Sequence, residues 1–125
     1  MSTGCLAAKV LVVDDDQDFR ALARKILEGA GMEVIEAEDG RRCVQLTSSL
    51  SVDAIIVDMV MPYQDGIATI CLLRDRLPQA KIVAISGVQE SSVYLAVSAQ
   101  LGASAILHKS DVDSLAGLIL RLLDN

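Results

Sequence analysis

The sequence predicts a single α/β domain: a five-stranded parallel sheet with helices on both faces. Two observations carry that expectation. Uninterrupted apolar runs recur at Val10-Leu11-Val12-Val13, Ala54-Ile55-Ile56-Val57 and Ile82-Val83-Ala84-Ile85, a pattern suited to strands buried on both sides. Each run leads through a turn into a segment whose apolar residues recur at helical spacing. The 125 residues show no repeat, linker or low-complexity tail, so the domain is expected over 1–125, with a core at about 8–124 and no effector domain in this chain.

The elements follow in order. Lys9-Val10-Leu11-Val12-Val13 ends in three acids, Asp14, Asp15 and Asp16. A helix follows with Phe19, Leu22, Ala23, Ile26 and Leu27 on one face, Asp16 as its N-cap and Gly29/Gly31 as its stop. Glu33-Val34-Ile35-Glu36-Ala37 is a more polar strand, which suits a sheet edge. Asp39-Gly40 opens a weaker helix carrying Cys43, Leu46, Thr47 and Leu50 inward. The central run at Ala54–Val57 delivers Asp58 into a turn containing Pro62 and Asp65-Gly66. The next helix places Ile70, Leu73 and Leu77 on one side and closes at Pro78. The fourth strand delivers Ser86-Gly87, and a helix with Val93, Ala96, Val97 and Leu101 facing the core stops near Gly102. Ala105-Ile106-Leu107-His108 delivers Lys109, and a capping-box-like Ser110-x-x-Asp113 opens a last helix carrying Leu115, Leu118, Ile119 and Leu122.

Five such units imply right-handed crossovers. A polar second strand fits the order 2-1-3-4-5, whose switch point lies between strands 1 and 3. Those strands end in Asp14/Asp15 and in Asp58.

Composition excludes several functions. The net charge is −6, with no Lys/Arg-rich run, two Tyr, one Phe and no Trp, so direct nucleic-acid binding lacks both phosphate neutralisation and stacking partners. No apolar run approaches the ~18 residues a membrane span needs. Met1-Ser2-Thr3-Gly4-Cys5 lacks a signal-peptide pattern, and a cytoplasmic location is expected. Cys5, Cys43 and Cys71 show no metal-ligand spacing and read as buried or incidental thiols.

Four strand ends carry the chemistry: Asp14/Asp15, Asp58, Ser86 and Lys109. Singly, each has an ordinary explanation as a cap, a turn hydroxyl or a surface lysine, and that explanation is kept for Asp16, Asp18, Asp39 and Asp65. Together along one sheet edge they point to a site. Like-charged pairs at about 4 Å cost roughly 4 kcal/mol at intermediate dielectric. Three carboxylates against one ammonium leave two charges for a divalent cation, and oxygen-only ligands with room for water and phosphate suit Mg²⁺. The set fits phosphoryl transfer onto a carboxylate, with Asp58 as the nucleophile.

These motifs resemble the receiver domain of the two-component response regulator family. The matching stretches are Val10–Asp16, Ile55–Pro62 with Asp65-Gly66, Ala84–Gly87, and Gly102-Ala103 leading to Lys109. The resemblance implies a flavodoxin-like (βα)5 fold and a signalling switch, not an enzyme acting on a separate substrate. It implies Asp58 as phosphoacceptor, fed by a sensor histidine kinase or phosphotransfer protein, and Asp15 and Asp14 as direct and water-mediated metal ligands, joined by Asp58 and the Val60 backbone carbonyl. Ser86 takes the place of the switch hydroxyl and Lys109 that of the phosphoryl ion-pair partner. The output is expected at the face formed by the fourth helix, fifth strand and fifth helix, toward a downstream protein or effector domain, with a homodimer also open.

The chain departs from the family pattern in places. Ser110 stands where Pro usually follows the lysine; a cis Lys109–Ser110 bond would cost about 2.5–4 kcal/mol, so trans is expected. Ile106 replaces the usual aromatic switch residue, so output cannot use an aromatic flip. Val60 and Val88 are apolar where relatives often carry polar residues, and screening of an acyl phosphate from water is one expectation for them. His108 reads as structural packing. Two alternatives stand beside the switch: a degenerate receiver that only docks or dimerises, and a haloacid-dehalogenase-like phosphatase with Asp14 as nucleophile.

Overall fold

The computed structural model describes residues 7–59, 66–87, 96 and 99–124. Its strands are β1 (Lys9–Val13), β2 (Glu33–Ala37), β3 (Ala54–Asp58), β4 (Lys81–Ser86) and β5 (Ala105–His108), all parallel, in the order β2-β1-β3-β4-β5. The helices are α1 (Gln17–Gly29), α2 (Gly40–Thr47), α3 (Gly66–Arg76) and a C-terminal helix, Leu115–Leu123. The flavodoxin-like topology is the expected one, with the polar β2 at an edge.

The period of two along each central strand explains the layers. Leu11, Val13, Ile55, Val57, Ile82 and Ala84 point to one face, where Cys43 of α2 and Ile70 and Leu73 of α3 cover them. Val10, Val12, Ala54, Ile56, Val83 and Ile85 point to the other, under Phe19, Ala23 and Leu27 of α1 and Leu115 and Ile119 of the C-terminal helix. Burial on both faces is why these strands read as unbroken apolar runs. Within this core, burial pushes the Cys43 thiol up to about 12, which keeps it protonated.

The helix starts are local in origin. Asp16 caps α1 by accepting from the Asp18 and Phe19 amides, and Asp39 caps α2 by accepting from that of Arg42. Gly31, at φ +89, turns the chain after α1.

Several expected details differ. Leu22 is 45% exposed, because α1 meets the sheet along Phe19, Ala23 and Leu27, one turn apart, leaving Leu22 on the flank. Leu50 lies beyond the end of α2 and is exposed. Of the expected fourth-helix face, Ala96 and Leu101 are exposed, while Val93 and Val97 lie outside the described residues. The capping box at Ser110 does not form. Lys109–Ser114 winds as a 3-10 helix, so Ser110 lies inside the turn, and the α-helix begins only at Leu115 without a side-chain cap. His108 is exposed rather than packed, because β5 half-buries only Ala105 and Leu107 and leaves the alternate residues Ile106 and His108 exposed. The Lys109–Ser110 bond is trans, as expected.

Gly66 matters for more than turn formation. A Cβ there would lie 2.5 Å from Met59 Cα and 2.6 Å from the Asp58 carbonyl oxygen, so α3 begins hard against the backbone at the end of β3. Gly66→Ala is expected to destabilise the protein by roughly 1–3 kcal/mol, since the obstacle is backbone and cannot swing aside. Urea denaturation measures this, and an unchanged midpoint would refute the close packing.

Candidate functional site

The strand ends converge as their order dictates. The β1–β3 register pairs Val13 with Val57, so Asp14 and Asp58 follow side by side. Asp58 is opposite Ile85 of β4, and Ser86 follows it, fully buried. Ser86 in turn pairs with His108 of β5, immediately before Lys109.

Asp14, Asp15 and Asp58 each offer a carboxylate oxygen, all within 4.8 Å of one another. Asp14 and Asp58 are buried, whereas Asp15 is exposed. Lys109 Nζ stands 2.7 Å from Asp14 Oδ2 and 3.6 Å from Asp58 Oδ2. Desolvation pulls the ammonium's pKa down, but Asp14, Asp58 and Asp16 outweigh it and hold it above its ordinary 10.5. Lys109 is therefore charged at neutral pH.

Asp14 is held at both ends. Its Oδ1 accepts the Asp16 amide at 2.9 Å, its backbone amide donates to the Ala37 carbonyl at 3.1 Å, and its own carbonyl accepts Arg20 Nη1 at 2.6 Å. Its buried Oδ2 has the Lys109 ammonium 2.7 Å away as an ion-pair partner and no well-angled hydrogen bond besides. An oxygen-only cluster containing a buried carboxylate oxygen with spare acceptor capacity suits a hard divalent cation.

The Arg20 guanidinium also pairs with Glu36 at 3.0 Å, and Arg24 reaches the same carboxylate at 2.7 Å. This bracket ties α1 and β2 to the loop that carries Asp14. The residues expected at the site from sequence thus gather at one edge, with Val60 and Val88 outside the described residues. Three participants were not anticipated. Phe19 lies beneath the Lys109 ammonium, 4.6 Å from ring centroid to Nζ. Arg20 grips the Asp14 carbonyl. Gly87 makes room for the lysine stem, since a Cβ there would meet Lys109 Cδ at 3.1 Å. Helical periodicity marks Phe19 only as core, and Gly87 looks like an ordinary turn glycine.

Comparison with known proteins defines the class. The family described as "Response regulator receiver domain" matches residues 10–119. The chain belongs to the response regulator receiver domain family. Among curated relatives it is 33% identical over 101 residues to the transcriptional regulatory protein CpxR of Escherichia coli K12, covering 81% of this chain and 42% of that protein. It is 39% identical over 74 residues to the transcriptional regulatory protein PrrA of Mycobacterium tuberculosis, covering 59% of this chain and 32% of that one. The chain thus spans under half the length of these relatives. Among solved structures it superposes on the Vibrio cholerae chemotaxis protein CheY4 with TM-score 0.84, 28% identity and coverage of 93% and 98% of the two chains. The Thermotoga maritima response regulator TrrA, solved in complex with Mg²⁺-BeF, gives TM-score 0.82 and 28% identity, with coverage of 92% and 98%. The family is one of two-component signalling domains rather than enzymes acting on separate substrates, which sets aside the phosphatase alternative. No helix among the described residues is long and apolar enough to cross a membrane.

The Arg20–Glu36–Arg24 bracket predicts a pH dependence. The Arg24 hydrogen bond, with Arg20 assisting against the opposing effect of burial, holds the Glu36 carboxyl below its ordinary 4.5. A lowered carboxylate pKa stabilises the fold above 4.5, and that contribution disappears as pH falls through the folded-state value. Glu36→Gln should cost about 1 kcal/mol or less at pH 7. The gap between wild type and variant in denaturant melts should close below pH 4.5; a gap that is constant with pH would exclude the linkage.

Proposed function

We propose that this domain is a phosphorylation-dependent switch in which Asp58 accepts a phosphoryl group from a phosphohistidine on a sensor histidine kinase or phosphotransfer protein. The observation that carries the reading is the buried Asp58 carboxylate beside the Lys109 ammonium at 3.6 Å, next to the acids Asp14 and Asp15. An Asp58 oxygen attacks phosphorus, the phosphorus–nitrogen bond breaks, and the donor histidine leaves neutral after protonation. Lys109 then pairs with the phosphoryl oxygens, and the Ser86 hydroxyl acts as the switch donor.

Asp14, Asp15 and Asp58, with the Val60 carbonyl as the resemblance implies, would hold Mg²⁺. When bound, the ion supplies charge neutralisation for the phosphoryl oxygens. The Mg²⁺-BeF complex of TrrA supports this assignment. Phosphorylation is read as biasing a two-state surface toward a downstream protein or effector domain. Ile106 at 45% exposure has no aromatic ring to turn inward, so the face formed by the fourth helix, fifth strand and fifth helix is read as signalling without an aromatic flip.

Incubation with acetyl phosphate and Mg²⁺ should add one phosphoryl mass, mapped by hydroxylamine to Asp58 and lost in Asp58→Asn. Absence of the adduct would support the degenerate docking module instead. Separately, millimolar Mg²⁺ should raise the melting temperature by several degrees, because it binds the folded state alone and relieves the acid cluster. Asp14→Asn should flatten this response; a wild-type melting temperature insensitive to Mg²⁺ would argue against the metal site.

A further inference from the structure

The Lys109 ammonium has a third neighbour besides its two carboxylates. The ring of Phe19, the chain's only phenylalanine, faces it at 4.6 Å from centroid to Nζ. Phe19 belongs to the first turn of α1, where the Asp16 cap binds its amide at 3.3 Å, so the ring's place is set by the same acidic loop that holds Asp14. Phe19 is 8% exposed and packs into the core on the side of the sheet covered by the C-terminal helix. It is a rigid platform. Gly87, lacking a Cβ, leaves room for the lysine stem beside it.

Resting on the reading of Asp58 as phosphoacceptor, we infer that Phe19 is a positioning residue that steers the Lys109 ammonium toward the phosphoryl group through a cation–π contact. The need for such a residue follows from the distances. Lys109 lies closer to Asp14, at 2.7 Å, than to Asp58, at 3.6 Å, so the ammonium must shift its allegiance when Asp58 gains phosphoryl oxygens. A third carboxylate would anchor the lysine where it is. An aromatic face attracts the charge without claiming any one N–H direction, so it holds the ammonium in the crevice while leaving its donors free to turn from Asp14 to the new oxygens. An aliphatic side chain of similar size would fill the same core volume but lack that attraction.

The test separates the ring's charge distribution from its bulk. Phe19→Leu and a protein carrying 3,4,5-trifluorophenylalanine at position 19 are compared with wild type for the rate of Asp58 phosphorylation by acetyl phosphate at saturating Mg²⁺, with urea stability measured in parallel. Fluorination withdraws electron density from the ring face at nearly constant shape. The trifluoro protein should keep wild-type stability yet react about threefold to tenfold more slowly, and Phe19→Leu should lose at least as much. A trifluoro protein as fast as wild type would overturn the cation–π role and leave Asp58 as phosphoacceptor intact. Failure of the wild type itself to take a phosphoryl group on Asp58 would instead overturn the underlying reading, and the inference with it.

Discussion

Two buried carboxylates sharing one ammonium set the terms for the rest of this protein. Asp14 and Asp58 meet because β1 and β3 are neighbours in register, and side-by-side acids in a dry crevice repel strongly. Lys109 makes that arrangement tolerable, and it can do so only because β5 ends beside β4 at the same edge. The strand order is therefore an electrostatic requirement as well as a packing solution. Remove the lysine, and the acids become uncompensated buried charge, among the costliest defects a core can carry.

Around this pair, α1 does more than cover the sheet. From its first two turns, Phe19 faces the ammonium and Arg20 grips the Asp14 carbonyl, while Arg20 and Arg24 together clasp Glu36 on β2. The helix is itself fixed by Asp16, the third acid of the run that supplies Asp14 and Asp15. One short loop thus contributes two carboxylates of the acidic cluster, a helix cap and the origin of a brace.

The strands were the most legible part of the chain, because β1, β3 and β4 are buried on both faces and cannot alternate. Asp58, Asp14, Asp15, Ser86 and Lys109 were legible as strand-end residues for the same reason: the sheet order places strand ends, whatever the side chains do next. What failed to show was set by tertiary contact. Phe19 sits at a core position of the α1 pattern, and nothing in periodicity tells that a lysine ninety residues later will lie on its ring. Gly66 and Gly87 looked like turn formers, yet each is also constrained by an atom of the site region pressing where a Cβ would be. Ser110 and Asp113 had the spacing of a capping box, but the strand hands over to a 3-10 turn and the pattern falls out of phase. His108 reads as structural packing from its place on the strand face opposite Lys109, yet β5 leaves it exposed.

That 3-10 turn gives the site walls of unequal stiffness. Asp14, Asp58 and Ser86 are anchored at the ends of fully buried strands, where any displacement must deform close-packed core. Lys109 instead begins a segment with no buried residue, interrupted at Asp111 by non-helical torsions of −100° and 23°, and joined by the less favourable hydrogen bonds of a tight helix. A pull on the lysine is therefore resisted least along the chain toward the C-terminal helix. The crevice is built like a vice with three fixed jaws and one sprung jaw, and the spring is continuous with a helix that lies on the surface of the fold.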